Sequence, residues 1–110
     1  MKTTVHNKLV RDFIPGIIES KGKSCSTSIL GDTRYIEELK KKLVEESQEV
    51  CGSDSKEELI EELGDVLDVI ESIQKAVGIE KADLEHVKNQ KAQSNGRFDK
   101  RIFLCSVDED

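Results

Sequence analysis

The sequence predicts an all-α fold, a four-helix bundle that assembles with further copies of itself. Three observations predict it. Two long segments carry apolar residues at intervals of three and four, the spacing of one face of an α-helix. Residues that start and stop helices stand between such segments, at Pro15, Gly22, Gly52 and Gly78. The third is a small core: hydrophobic residues make up 35% of the chain and the aromatics are Phe13, Tyr35, Phe98 and Phe103 alone. Such a core is aliphatic and thin, and a second subunit is the usual way to enlarge it. The 110 residues fit one domain, spanning 1–110.

Pro15 suits the first turn of a short helix, and Gly22 ends it, because glycine supplies the left-handed geometry common just past a helix end. From Lys23 to Gly31 a Ser/Thr-rich run reads as a loop. Asp32 or Thr33 caps a second helix over Tyr35 to Val50, with Tyr35, Ile36, Leu39, Leu43 and Val50 on one face. Gly52-Ser53-Asp54-Ser55 breaks the pattern, and Asp54 or Ser55 caps the next start, with Glu57 and Glu58 near the positive end of the helix dipole. The third helix has the strongest periodicity: Leu59, Leu63, Val66, Ile70, Ile73 and Val77, widened by Ile60, Leu67 and Val69 to about half the circumference. A stripe that broad packs against more than one neighbour. After Gly78 a weaker fourth helix, from Glu80 to Gln93, offers Ala82, Leu84 and Val87. Ser94-Asn95-Gly96 ends it. The run Ile102 to Cys105 is either extended or tucked under the bundle, and Ser106 to Asp110 frays.

Charge narrows the function. Seventeen Lys and Arg against 23 Asp and Glu give a net charge of −6, which argues against a nucleic-acid polymer as partner, since phosphate backbones are bound by surplus cations. No stretch approaches the roughly 18 apolar residues that span a bilayer. The opening Met1 to Asn7 lacks the apolar segment of a signal peptide, so the expected location is cytoplasmic. Cys25, Cys51 and Cys105 are odd in number and widely spaced. That disfavours disulfides and a zinc knuckle, and they read as buried or idle thiols.

The informative residues are acids on apolar faces. The line Ile36, Leu39, Leu43 continues through Glu46 to Val50, so Glu46 points toward the core, with Glu49 beside it at the margin. On the third helix, at about 100° per residue, Glu62 falls between Val66 and Val69, and Asp65 borders the stripe one turn later. Glu37, Glu38, Glu45, Glu57, Glu58 and Glu61 are assigned to solvated faces. Burying ionised carboxylates is costly unless they are paired or bind metal, and converging carboxylates are relieved by protonation or by a hard divalent cation. An all-oxygen set favours Mg²⁺, with Mn²⁺ as substitute, over zinc or copper, and the lack of Glu-x-x-His speaks against di-iron. Magnesium with open positions most often meets a polyphosphate. The plain alternative is chance, because acidic pairs arise readily in a chain this acidic.

At these residues the sequence resembles the MazG-like, all-α nucleoside triphosphate pyrophosphohydrolases, a superfamily that includes phosphoribosyl-ATP pyrophosphohydrolase. Its Glu-x-x-Glu, spacer, Glu-x-x-Asp hallmark corresponds here to Glu46-Ser47-Gln48-Glu49 and Glu62-Leu63-Gly64-Asp65. Asn7-Lys8-Leu9-Val10-Arg11-Asp12 with Ile14-Pro15, and the tail Gly96 to Leu104, resemble its small single-domain branch. That branch often carries Gly-Gly-Phe where this chain has Gly96-Arg97-Phe98. The resemblance implies Mg²⁺-dependent cleavage between the α- and β-phosphates of a nucleotide, yielding a monophosphate and pyrophosphate, by a homodimer or homotetramer. It implies Glu46, Glu49, Glu62 and Asp65 as metal ligands and catalytic residues, with Glu45 the leading spare base and Asp68 a weaker one.

Lys8, Arg11, Arg97 and Arg101 then serve the phosphates, again by resemblance and charge. Lys91 follows Leu84 and Val87 on the inner line of the fourth helix and either reaches the site or packs its stem with its head in water. His6 and His86 read as surface residues. Nucleotide-pool housekeeping is the expected role. The alternatives are phosphoribosyl-ATP hydrolysis, a divalent-metal regulator without turnover, and a non-enzymatic helical interaction module.

Overall fold

A computed structural model describes residues 2–109 and has four α-helices and no strand among them. The helices are α1 (Ile14–Ser20), α2 (Asp32–Cys51), α3 (Lys56–Val77) and α4 (Lys81–Asn95). The chain divides into two compact units, one running through Gly78 and one starting at Ile79.

In the first unit, α1 carries Pro15 in its opening turn, where a missing N–H costs nothing. It closes through Lys21, whose N–H donates to the Ile18 carbonyl, and Gly22, at φ 79°. α2 is 20 residues long and α3 is 22. They pack against each other as a helical hairpin joined by the short Gly52 to Ser55 turn. Of the two cap candidates before α3, Ser55 is the one that acts: its hydroxyl accepts from the Glu58 N–H at 3.1 Å, while the Glu58 carboxylate accepts from the Asp54 N–H at 3.0 Å. This is a variant of the reciprocal capping arrangement. Ser55→Ala is expected to destabilise the hairpin by about 1 kcal/mol, read as a lowered urea midpoint at unchanged slope.

Gly78 ends α3 in the left-handed conformation, φ 82°, and its N–H donates to the Gln74 carbonyl. Neither Asp32 nor Thr33 caps α2. Gly31 holds that position, without a side-chain bond, and the helix starts at Asp32.

The buried apolar residues are Leu39 on α2 and Val69 on α3. The broad α3 stripe turns one edge toward α2 and leaves Ile60, Leu63 and Leu67 largely in water, together with Val44 of α2. Glu38, assigned from sequence to a solvated face, is instead buried, at 8% exposure. Arg34 and Lys41 on the same helix reach its carboxylate at 3.8 and 3.2 Å, so the covered charge is paired.

In the second unit, Glu80 precedes α4 and Gly96, at φ 79°, follows it. Ile102, Phe103 and Leu104 are non-helical and exposed, so of the two expectations the tucked one is not met. The three cysteines are free and exposed rather than buried. Each lies in a loop, at a helix end or in the tail, where no apolar neighbour covers it. His6 and His86 are exposed. No helix among the described residues is long and apolar enough to cross a membrane.

Candidate metal centre

The hairpin turn folds α3 back along α2, so that residues at comparable distances from the turn face each other. Glu46 of α2 thereby meets Glu62 and Asp65 of α3, and one ligand oxygen from each lies within 4.8 Å of the others. The Glu46 side chain is better covered than that of Asp65, 13% exposed against 33%. Glu62 is half-buried. In an octahedral magnesium site, with bonds of 2.0–2.1 Å, adjacent ligand oxygens stand about 2.9 Å apart and opposite ones about 4.2 Å. The three carboxylates must therefore draw inward to close on such an ion. Three hard oxygen donors from two helices, half-covered and with solvent on one side, fit Mg²⁺ or Mn²⁺ and leave positions for water and phosphate.

Glu49, the fourth expected ligand, is exposed and stands outside this trio. It is still felt there. The carboxyl of Glu62 is raised above the usual glutamate range, by partial desolvation first, then by repulsion from Glu49, Asp65, Glu46 and Glu61. A raised folded-state value means that the native chain holds this proton more tightly than the unfolded chain does. The resulting stabilisation is complete below the ordinary glutamate pKa and is lost as pH rises through the raised value. Glu62→Gln should therefore melt progressively higher than the native protein as pH is taken from mildly acidic to neutral, and saturating Mg²⁺ should narrow the gap by stabilising only the native protein. Thermal melts by circular dichroism across that range check both.

Cations border the trio. Arg11, in the non-helical segment before α1, spans one turn of α3: its Nη2 donates to Asp65 Oδ1 at 2.8 Å and its Nη1 to Asp68 Oδ2 at 2.7 Å. These bonds raise the guanidinium above its already high value, against some desolvation. Lys8 donates to Glu45 Oε1 at 3.2 Å, and this bond, with the nearby Lys42 charge, draws the Glu45 carboxyl below the usual range. Glu45, expected on a solvated face, is accordingly half-buried.

Lys42 was not singled out from sequence. Its Nζ lies 3.5 Å from Glu45 and 3.6 Å from Glu46, with its side chain only 18% exposed. The signal was present in the spacing, since residues three and four apart on a helix are neighbours. Lys91, Arg97 and Arg101 belong to the second unit and are exposed there. Arg97 Nη2 donates to Asn89 Oδ1 at 3.4 Å, and Arg101 adopts the left-handed backbone at φ 61°.

No protein-family model, no curated protein and no solved structure matches the chain.

Proposed function

We propose that this chain is a Mg²⁺-dependent nucleoside triphosphate pyrophosphohydrolase of the MazG-like kind, cleaving between the α- and β-phosphates to give a nucleoside monophosphate and pyrophosphate, with nucleotide-pool housekeeping as its role. The observation that carries the reading is the approach of Glu46, Glu62 and Asp65 from two helices to within 4.8 Å. Family likeness at the Glu46–Glu49 and Glu62–Asp65 motifs supports it. So does the raised Glu62 carboxyl, since packed carboxylates of this kind are relieved by a divalent cation.

Glu46, Glu62 and Asp65 would hold the cation, with Glu49 completing the set. Once bound, Mg²⁺ supplies neutralisation of phosphate charge and a lowered pKa for the attacking water. Glu45 is the proton acceptor in this reading. Lys42, its neighbour on α2, keeps it ionised, so it can take the proton as the water oxygen bonds to phosphorus and the bridging P–O bond breaks toward the leaving phosphate. Arg11, bonded to Asp65, and Lys8, bonded to Glu45 beside Glu46 in the chain, are the cations that would serve phosphate oxygens. Arg97 and Arg101, by family likeness and charge, and Lys91, by its place on α4, stay candidates for binding phosphate. The chain works as a homodimer or homotetramer, because a hairpin that buries Leu39 and Val69 but leaves Ile60, Leu63 and Leu67 in water gains most by covering them with another copy.

The test is pyrophosphate release from a panel of nucleotides, phosphoribosyl-ATP included, with and without Mg²⁺. Metal-dependent release of pyrophosphate and monophosphate in equal amounts supports the proposal. Mg²⁺ binding without turnover on any nucleotide points to a regulator, and neither binding nor turnover to an interaction module.

A further inference from the structure

We propose that the segment from Lys8 to Arg11 is a cationic latch, which seats on the carboxylates of the metal-free protein and is displaced when a divalent cation binds, freeing both basic side chains for the nucleotide. The inference rests on the metal reading above and concerns how that site is gated.

The geometry puts the two cations in competition for one carboxylate. Arg11 bonds Asp65, a member of the trio, and ties it to Asp68 one turn on. A dication brought to Glu46, Glu62 and Asp65 would share Asp65 with a guanidinium that already bonds it. Two positive charges on one carboxylate repel and each weakens the other's hold, so the more loosely bound one is displaced. Arg11 is that one, with its side chain 57% exposed and in bonds that water readily replaces. Lys8, at 46%, is held as loosely on Glu45.

Between them only Leu9 is half-buried, so the ion pairs carry most of the attachment. The segment departs from Asn7, which takes a left-handed backbone at φ 46° and turns the chain onto the hairpin. A freed guanidinium fork matches phosphate oxygens two at a time, which a carboxylate-bound one does not do. Linkage is reciprocal: whatever the cation costs the latch, the latch costs the cation.

Mn²⁺ binding, followed by electron paramagnetic resonance on the native protein, Arg11→Gln and Arg11→Lys without nucleotide, tests this. Arg11→Gln is expected to bind Mn²⁺ roughly threefold to tenfold more tightly than the native protein, the worth of two exposed ion pairs. Arg11→Lys, which keeps the charge but not the fork, should fall between. In the native protein, Mg²⁺ should sharpen the amide NMR signals of residues 8–12 as the segment is released. Native Mn²⁺ binding with equal or weaker binding by Arg11→Gln overturns the latch and leaves the metal site standing. Mg²⁺ shifts at Glu46, Glu62 and Asp65 with residues 8–12 unmoved overturn it too, should the variants not fold. Absence of Mn²⁺ binding in every form removes the metal reading and the latch together.

Discussion

Glu46→Gln is expected to lower Mg²⁺-dependent pyrophosphate release by at least about 100-fold, the scale on which even outer partners of metal ligands act. The substitution keeps the shape of the side chain and removes only its charge. Glu46 is the member of the trio supplied by α2, and its carboxylate is well covered. Without that charge the cation would be held from α3 alone, by Glu62 and Asp65. The helices should survive, because Lys42 keeps Glu45 as a partner at 3.5 Å. Pyrophosphate assays beside far-ultraviolet circular dichroism separate the two effects. Full activity in a folded Glu46→Gln protein would falsify the ligand assignment.

The second large effect concerns folding. Leu39 is 3% exposed and shares the buried core of the hairpin with Val69. Truncation of a buried leucine to alanine costs about 2–5 kcal/mol, through lost transfer energy and the cavity left behind. Native domains are stable by only about 5–15 kcal/mol, and a small one lies at the low end. Leu39→Ala should therefore lose most of its stability and melt broadly or at a much lower temperature. Ile29→Ala, at a loop residue 98% exposed, should change stability by no more than about 0.5 kcal/mol. Urea titrations of the pair decide the matter, and comparable midpoints would place the core elsewhere.

Periodicity made the helices legible where apolar residues recur and missed them where they do not. The opening turn of α2, Asp32-Thr33-Arg34, carries no apolar side chain, so the sequence reading began at Tyr35. Ser94 and Asn95 are common loop residues, yet α4 runs through both before Gly96 stops it. At α3 Gly78 fixed the C-terminal end, because its left-handed geometry is what the residue type specifies, whereas the start was narrowed only to Asp54 or Ser55, two residue types that cap equally well.

The same division holds at the site. Glu46 and Glu62 could be read because each interrupts an apolar line. Glu38 could not, since it interrupts no apolar line and its Arg34 and Lys41 partners are residues that hydropathy counts as polar. Nor could the partners of Arg11, which lie 54 and 57 residues further along the chain. No period links a non-helical segment to acids on a distant helix.

The aliphatic row of Ile60, Leu63 and Leu67 has a thermodynamic consequence. In the proposed dimer its coverage is a bimolecular event, so native stability acquires a mass-action term. Each tenfold dilution then withdraws about 1.4 kcal/mol from the folded side of the balance. Dilution alone acts on such a chain as a denaturant would, and its abundance in a cell becomes one of the variables that set its melting point.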